Sequence, residues 1–205
     1  MRMSLSKLSF MLPELEFVSW QRFHQDSFEL AKLLSSKRFE TIVSVSRGGH
    51  VLSRVLSDFL SLPIFNVSMK AYKDFDHQEV SLTQKLGQYL ANQRVLLVDE
   101  IVDTGNTLAR ALKYIQRLRT REVFSVALYC KPSARPRPNL FHNATKKWVV
   151  FPYEVHETIK TLLPMWEKAG KPVEHLRQKL IEGGIKSTYV DFFLVEAVKK
   201  STKRP

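Results

Sequence analysis

The chain has 205 residues, 44% of them hydrophobic and 25% charged, and its 32 basic and 20 acidic side chains leave a net charge of +12. A chain of this length forms one ordinary domain with some fifty residues over and buries roughly 70% of its unfolded surface. Its near-average composition excludes a low-complexity or disordered chain.

No apolar run approaches the length of a bilayer span, and the opening residues 1–7 lack the apolar core of a secretory signal. A single cysteine, Cys130 at the end of an apolar run, excludes an internal disulfide and fits a buried thiol in a reducing compartment. A cytoplasmic protein is expected. The six histidines show no metal-ligand spacing.

After an irregular start, Ser19 is the expected N-cap of a helix that places Trp20, Phe23, Leu30, Ala31 and Leu34 on one face. Residues 41–45 read as a short strand, and Val51, Leu52, Val55, Leu56 and Phe59 as the apolar stripe of a second helix. Between them stands Ser46-Arg47-Gly48-Gly49. Adjacent glycines permit a tight backbone, Arg47 brings a fork of donors, and the helix start adds its dipole, so the loop suits pyrophosphate. A third strand is expected over residues 62–69, and residues 70–93 form a long, weakly patterned loop of the kind that carries function.

The apolar run 95–98 is short enough for a strand buried on both faces of a parallel sheet. From Thr107 onward Leu108, Leu112, Ile115 and Leu118 recur at helical spacing, with Arg110, Lys113, Arg117 and Arg119 between them. This strand and helix are joined through the acidic pair Asp99 and Glu100 and the loop Asp103, Thr104, Gly105, Asn106 and Thr107. Gly105 can take a positive φ, and the loop turns N–H groups, hydroxyls and the positive helix end toward one point, which suits a phosphate. Two carboxylates beside a phosphate make sense if they hold sugar hydroxyls, or a Mg²⁺ shared by the sugar and a second phosphate. A ribose phosphate is therefore the expected ligand. Of the four glycines before residue 153, three fall in these two loops.

Residues 123–130 read as another strand, followed by a Pro-rich loop that opens with Lys131. Ligands of open α/β sheets sit at the carboxyl ends of strands, where Arg47, Asp99 and Lys131 emerge. Residues 147–151 form a last strand containing Trp148 and Val149, and residues 154–170, 171–184 and 187–200 read as three amphipathic helices. The expected organisation is a core over residues 1–152, with a flexible hood near 70–93, and a helical extension over 153–205. The core holds 22 basic and 13 acidic residues, against 10 and 7 in the extension. The charge excess thus lies with the phosphate loops and favours a small polyanion over nucleic acid or a membrane.

The run 94–118 resembles the phosphoribosyl-pyrophosphate signature of the type I phosphoribosyltransferases. The residues Val45 to Gly49 and the pair Trp148 and Val149 narrow the resemblance to the purine branch, most nearly the xanthine-guanine phosphoribosyltransferases. It implies an open, mainly parallel twisted α/β sheet flanked by helices, to which this chain adds a C-terminal helical extension. It also implies a Mg²⁺-dependent transfer of 5-phosphoribosyl to N9 of a 6-oxopurine (guanine, xanthine or hypoxanthine).

In that scheme Ser46, Arg47 and Gly48 take pyrophosphate, and Asp103 to Thr107 hold the 5′-phosphate. Asp99 and Glu100 engage the ribose and the metal, while Asp103 is also the catalytic group, a base or acceptor at N7. Lys131 contacts O6, Trp148 stacks on the base, and Val149 reads its edge through main-chain groups. The hood closes over the reaction centre, with Tyr72 and Lys73 prominent. One departure is the absence of any arginine between Arg54 and Arg94, which leaves either Lys70, Lys73 or Lys85 to reach pyrophosphate without a bidentate fork or the pyrophosphate held less tightly. The apolar stripes beyond residue 153 must be covered, by the core of the same chain or by the equivalent helices of a neighbour, and a homo-oligomer, dimer or tetramer, is expected. A rival reading is a phosphoribosyl-pyrophosphate sensor that binds nucleic acid, although a sensor has no need of Asp103, Lys131 and Trp148.

Overall fold

The computed structural model describes residues 12–73, 78–87 and 89–201. In chain order the first elements are β1 (Leu15–Phe17), α1 (Trp20–Leu34), β2 (Thr41–Ser46), α2 (Gly49–Leu60), β3 (Ile64–Lys73) and β4 (Gln78–Gln84). There follow β5 (Arg94–Val102), α3 (Asn106–Gln116), β6 (Glu122–Cys130), β7 (Leu140–Ala144), β8 (Trp148–Val150), α4 (Val155–Lys168), α5 (Val173–Glu182) and α6 (Ser187–Ser201). The chain divides into two compact units, Phe23–Lys146 and the pair of segments Met1–Arg22 and Lys147–Pro205.

The first unit is built on a six-stranded sheet in the order β4-β3-β2-β5-β6-β7. Every neighbouring pair is parallel except β3 and β4. The central strands are apolar without alternation because both faces are covered. Val43, Val45, Val95 and Leu97 share one core cluster with Leu108, Ala111 and Ile115 of α3. Ser44 faces the other way, where its hydroxyl borders Gly49 at the start of α2. The open, mainly parallel sheet flanked by helices that the resemblance implied is present.

The expected loop over 70–93 is in part a hairpin: β3 continues to Lys73 and β4 returns antiparallel beside it, Ala71 opposite Val80. An edge hairpin satisfies its backbone by its own pairing, so it needs no strong apolar pattern to form. Residues 74–77 and 88 of the expected hood lie outside the described residues. β7, at the opposite edge, is five residues long without period-2 alternation, so it too escapes a reading from the sequence. Ser19 does cap α1, its hydroxyl accepting the Arg22 N–H at 3.1 Å. Trp20, expected on the buried face, is 58% exposed and lies 5.8 Å from the Tyr153 ring.

In the second unit β1 pairs in parallel with β8, Leu15 opposite Trp148. The helices α4, α5 and α6 enclose a core of Val155, Ile159, Leu162, Leu163, Trp166, Leu176, Leu180, Val190 and Leu194. Leu12, Leu15 and Phe17 pack against that core. The apolar stripes of the extension thus cover one another and the first strand, which belongs to this unit although it starts the chain. Arg177 ties α5 to α6 through Asp191 (2.6 Å) and also bonds Glu174 (3.0 Å). These hydrogen bonds hold the Asp191 carboxyl below its usual value of 3.8 and raise the Arg177 guanidinium. Among the described residues no helix is long and apolar enough to cross a membrane.

Candidate active site

Two strand-to-helix junctions of the sheet unit carry the phosphate loops. β2 ends at Ser46, Arg47 is exposed, and α2 starts at Gly49 with Gly48 as its N-cap. β5 ends at Val102, and α3 starts at Asn106 behind Gly105, whose φ of 95° is available to glycine without strain. The Thr104 hydroxyl accepts the Asn106 N–H (3.3 Å), and the Gly105 carbonyl accepts the first helical bond from Ala109 (2.8 Å). Both helices present their N-termini at the carboxyl edge of the sheet, where backbone N–H groups and the dipole favour an anion.

Missing side chains bring these loops together. A Cβ on Gly48 would collide with the Glu100 carboxylate, and one on Gly49 would strike the Val98 carbonyl. A Cβ on Gly105 would meet the carbonyl of Arg135. The acidic pair therefore stands against the Arg47-Gly48 loop, on the neighbouring strand. Glu100 is only 7% exposed, and its N–H donates to Asp99 Oδ1 (2.9 Å).

The Pro-rich loop is fastened at both ends. The Lys131 N–H donates to Val102 O (2.9 Å), and the Arg135 N–H donates to Thr104 O (2.8 Å). Arg135 turns its own guanidinium back to the Ala134 carbonyl (2.6 Å). Ala134 is fully buried. The sequence drew attention to Lys131 but not to Ala134 and Arg135, which work through backbone and carry no chemical signature.

Ser46, Arg47, Gly48, Asp99, Glu100, Asp103, Thr104, Gly105, Asn106, Thr107 and Lys131 thus all lie at the carboxyl ends of the adjacent strands β2, β5 and β6, in the loops that follow them or in the first turn of α3. Among the described residues no group of three or more His, Cys, Asp or Glu side chains is placed to hold a metal. Asp99 and Glu100 still supply two adjacent carboxylates, a donor set that fits Mg²⁺, which keeps several waters and substrate oxygens.

Trp148 and Val149 lie in the other unit, on β8. Trp148 is 36% exposed and Val149 8%. The Trp148 N–H donates to Glu14 O (2.7 Å) and the Val150 carbonyl accepts from Val18 (3.0 Å). Alternation along the strand then turns the main-chain groups of Val149 away from β1.

The family described as phosphoribosyl transferase domain matches residues 16–158, from the first strand to the first turns of α4. The chain belongs to the phosphoribosyltransferase family. It is 31% identical over 147 residues to the xanthine-guanine phosphoribosyltransferase of Idiomarina loihiensis, covering 68% of this chain and 87% of that protein. Among solved structures it resembles a purine phosphoribosyltransferase from Pyrococcus horikoshii, with a TM-score of 0.65 and 28% identity over 68% of this chain and 93% of the other. A Helicobacter pylori xanthine-guanine-hypoxanthine phosphoribosyltransferase gives a TM-score of 0.64 and 27% identity, covering 72% and 99%.

Proposed function

We propose that this phosphoribosyltransferase transfers 5-phosphoribosyl from phosphoribosyl pyrophosphate to N9 of a 6-oxopurine, a purine-salvage reaction in the cytoplasm. The observation that carries the reading is the packing of Gly48 against Glu100 and of Gly105 against Arg135. It sets two helix N-termini, two carboxylates and Lys131 at one edge of the sheet. The names of the relatives support the choice of purine.

In this reading Asp103 to Thr107 bind the 5′-phosphate through N–H groups and hydroxyls, and Arg47 with Gly48 receives pyrophosphate as charge develops on it. The C1′–oxygen bond to pyrophosphate breaks as the C1′–N9 bond forms, and Asp103 accepts the proton or hydrogen bond at N7. Lys131 holds O6. The roles of Trp148 and Val149 at the base rest on the family resemblance, supported by the free orientation of the Val149 main chain. Asp99 and Glu100 would hold Mg²⁺, which would supply neutralisation of the diphosphate charge. Residues 153–205 give no catalytic side chain, and the outer face of α6, with Tyr189, Phe192 and Val195 exposed, suits self-association.

The test is a turnover assay with phosphoribosyl pyrophosphate, each purine base in turn, and Mg²⁺ present or chelated. Nucleoside monophosphate from guanine, xanthine or hypoxanthine is expected, only with Mg²⁺. Absence of product with all three bases overturns the reading.

A further inference from the structure

Part of the positive charge of the sheet unit lies away from where its substrate phosphates would sit. From Thr104 through Arg121 the chain has no acidic residue and five cations, Arg110, Lys113, Arg117, Arg119 and Arg121, all exposed. On α3, Arg110, Lys113 and Arg117 fall within about 60° of arc. That arc lies opposite the buried Leu108, Ala111 and Ile115.

The set continues past the helix. Arg119 sits in the left-handed region at φ 59°, where a helix end ordinarily places glycine. Its carbonyl accepts the Asn92 N–H (2.9 Å), and the Arg121 N–H donates to Gln93 O (2.9 Å). The turn is thereby held beside the start of β5, whereas the phosphate loop follows its end. Eight strand steps separate the two by about 26 Å, so a bound phosphoribosyl pyrophosphate leaves Arg117, Arg119 and Arg121 unneutralised. Glu122, the acid next in sequence, is already engaged with Arg94 (2.8 Å), and Glu40, which accepts the Arg94 N–H at the start of the same strand (2.8 Å), is engaged as well.

We infer that this face is a docking surface for the phosphodiester backbone of a nucleic acid. Charge complementarity selects the partner. Arg110 to Arg117 alone extend about 10 Å along the helix, and the turn adds to that, so an extended polyanion reaches all five cations where a small phosphate does not. Four of the five are arginines, whose planar fork matches phosphate oxygens bidentately. A membrane surface would call for apolar or aromatic anchors beside the charges, whereas the apolar side of α3 is committed to the core. The contacts are to backbone, so binding is independent of base sequence and sensitive to salt.

The test uses the full chain and fluorescence anisotropy with labelled single-stranded RNA and duplex DNA, from about 50 to 200 mM salt. Five contacts to a single strand predict a log–log salt slope near −3.5, about a 100-fold loss of affinity over that range. The variant Arg117→Gln/Arg119→Gln/Arg121→Gln should bring the slope to about −1.4. A control of equal charge, Lys160→Gln/Lys171→Gln/Lys179→Gln on the helical unit, should keep the unaltered slope. Thermal melting establishes that both variants are folded, and Arg110→Gln/Lys113→Gln replaces the first if it is not. The tighter of the RNA and DNA arms identifies the source of the phosphodiester. The proposal is overturned by absence of binding at the lowest salt, by equal weakening in the control, or by binding to phosphatidylserine vesicles with none to either nucleic acid. None of these outcomes bears on purine turnover, which is measured separately.

Discussion

In the sheet unit the glycines of the phosphate loops leave no room for a side chain because they face backbone or a buried carboxylate, Gly49 against Val98, Gly105 against Arg135 and Gly48 against Glu100. In the helical unit Gly183 instead meets the Phe17 ring, and the interior closes around side chains such as the fully buried Trp166. A polar pocket that must bring N–H groups within hydrogen-bond reach of a phosphate cannot be spaced by side chains. An apolar core has no such need and fills by volume. Changes at the first unit's loops should therefore damage chemistry, and changes in the second unit's helical core should damage stability.

The sharpest probe of that contrast is Asp103→Asn, expected to lower kcat by roughly 10² to 10⁴ while leaving phosphoribosyl pyrophosphate affinity nearly intact. An unaltered kcat in steady-state assays would remove Asp103 from the reaction. On the other side, Trp166→Ala should cost about 3–5 kcal/mol of stability by urea denaturation. Phosphoribosyl pyrophosphate binding by calorimetry should hold, and its loss would break the comparison, because the helical unit would then shape the phosphate site.

Gly105→Ala sits between these extremes. The positive φ and the Arg135 carbonyl together predict about 1–3 kcal/mol of strain, seen as a lower melting temperature and a raised KM for phosphoribosyl pyrophosphate. A melting shift with no change in KM would make Gly105 a folding residue only. Lys131→Met should raise KM for the purine roughly 10- to 100-fold, the loss of one charged hydrogen bond, and affect phosphoribosyl pyrophosphate far less. Equal effects on both substrates would move Lys131 to pyrophosphate.

The smallest effect belongs to the Arg177–Asp191 pair, which is open to solvent. The carboxyl's folded value lies below its unfolded one, so the pair stabilises above about pH 4 and loses that contribution as the pH falls through the depressed value. Melting temperatures of the unaltered chain and Asp191→Asn should differ slightly at neutral pH and converge in strong acid. A gap that persists there would assign the effect to packing.

The strand-loop-helix runs around Ser46 to Gly49 and Asp99 to Thr107 were legible in the sequence because each part is local: an apolar run for a strand buried on both faces, a glycine for a backbone bend, a 3.6-residue stripe for the helix. The three C-terminal helices were legible for the same reason. Tertiary structure alone decided what is non-local. It gave β1, at the start of the chain, to the helical unit, since a three-residue strand has no pattern of its own until Trp148 to Val150 pair with it. It folded β3 and β4 into a hairpin whose backbone pairing leaves little mark on side-chain choice. It also brought Arg135 onto Gly105, held by a backbone hydrogen bond from the Arg135 N–H to the Thr104 carbonyl, which any residue but proline can donate. And it carried Arg117 to Arg121 to the far end of the sheet from the phosphate loops, because composition counts charges while only the direction of α3 says where they stand.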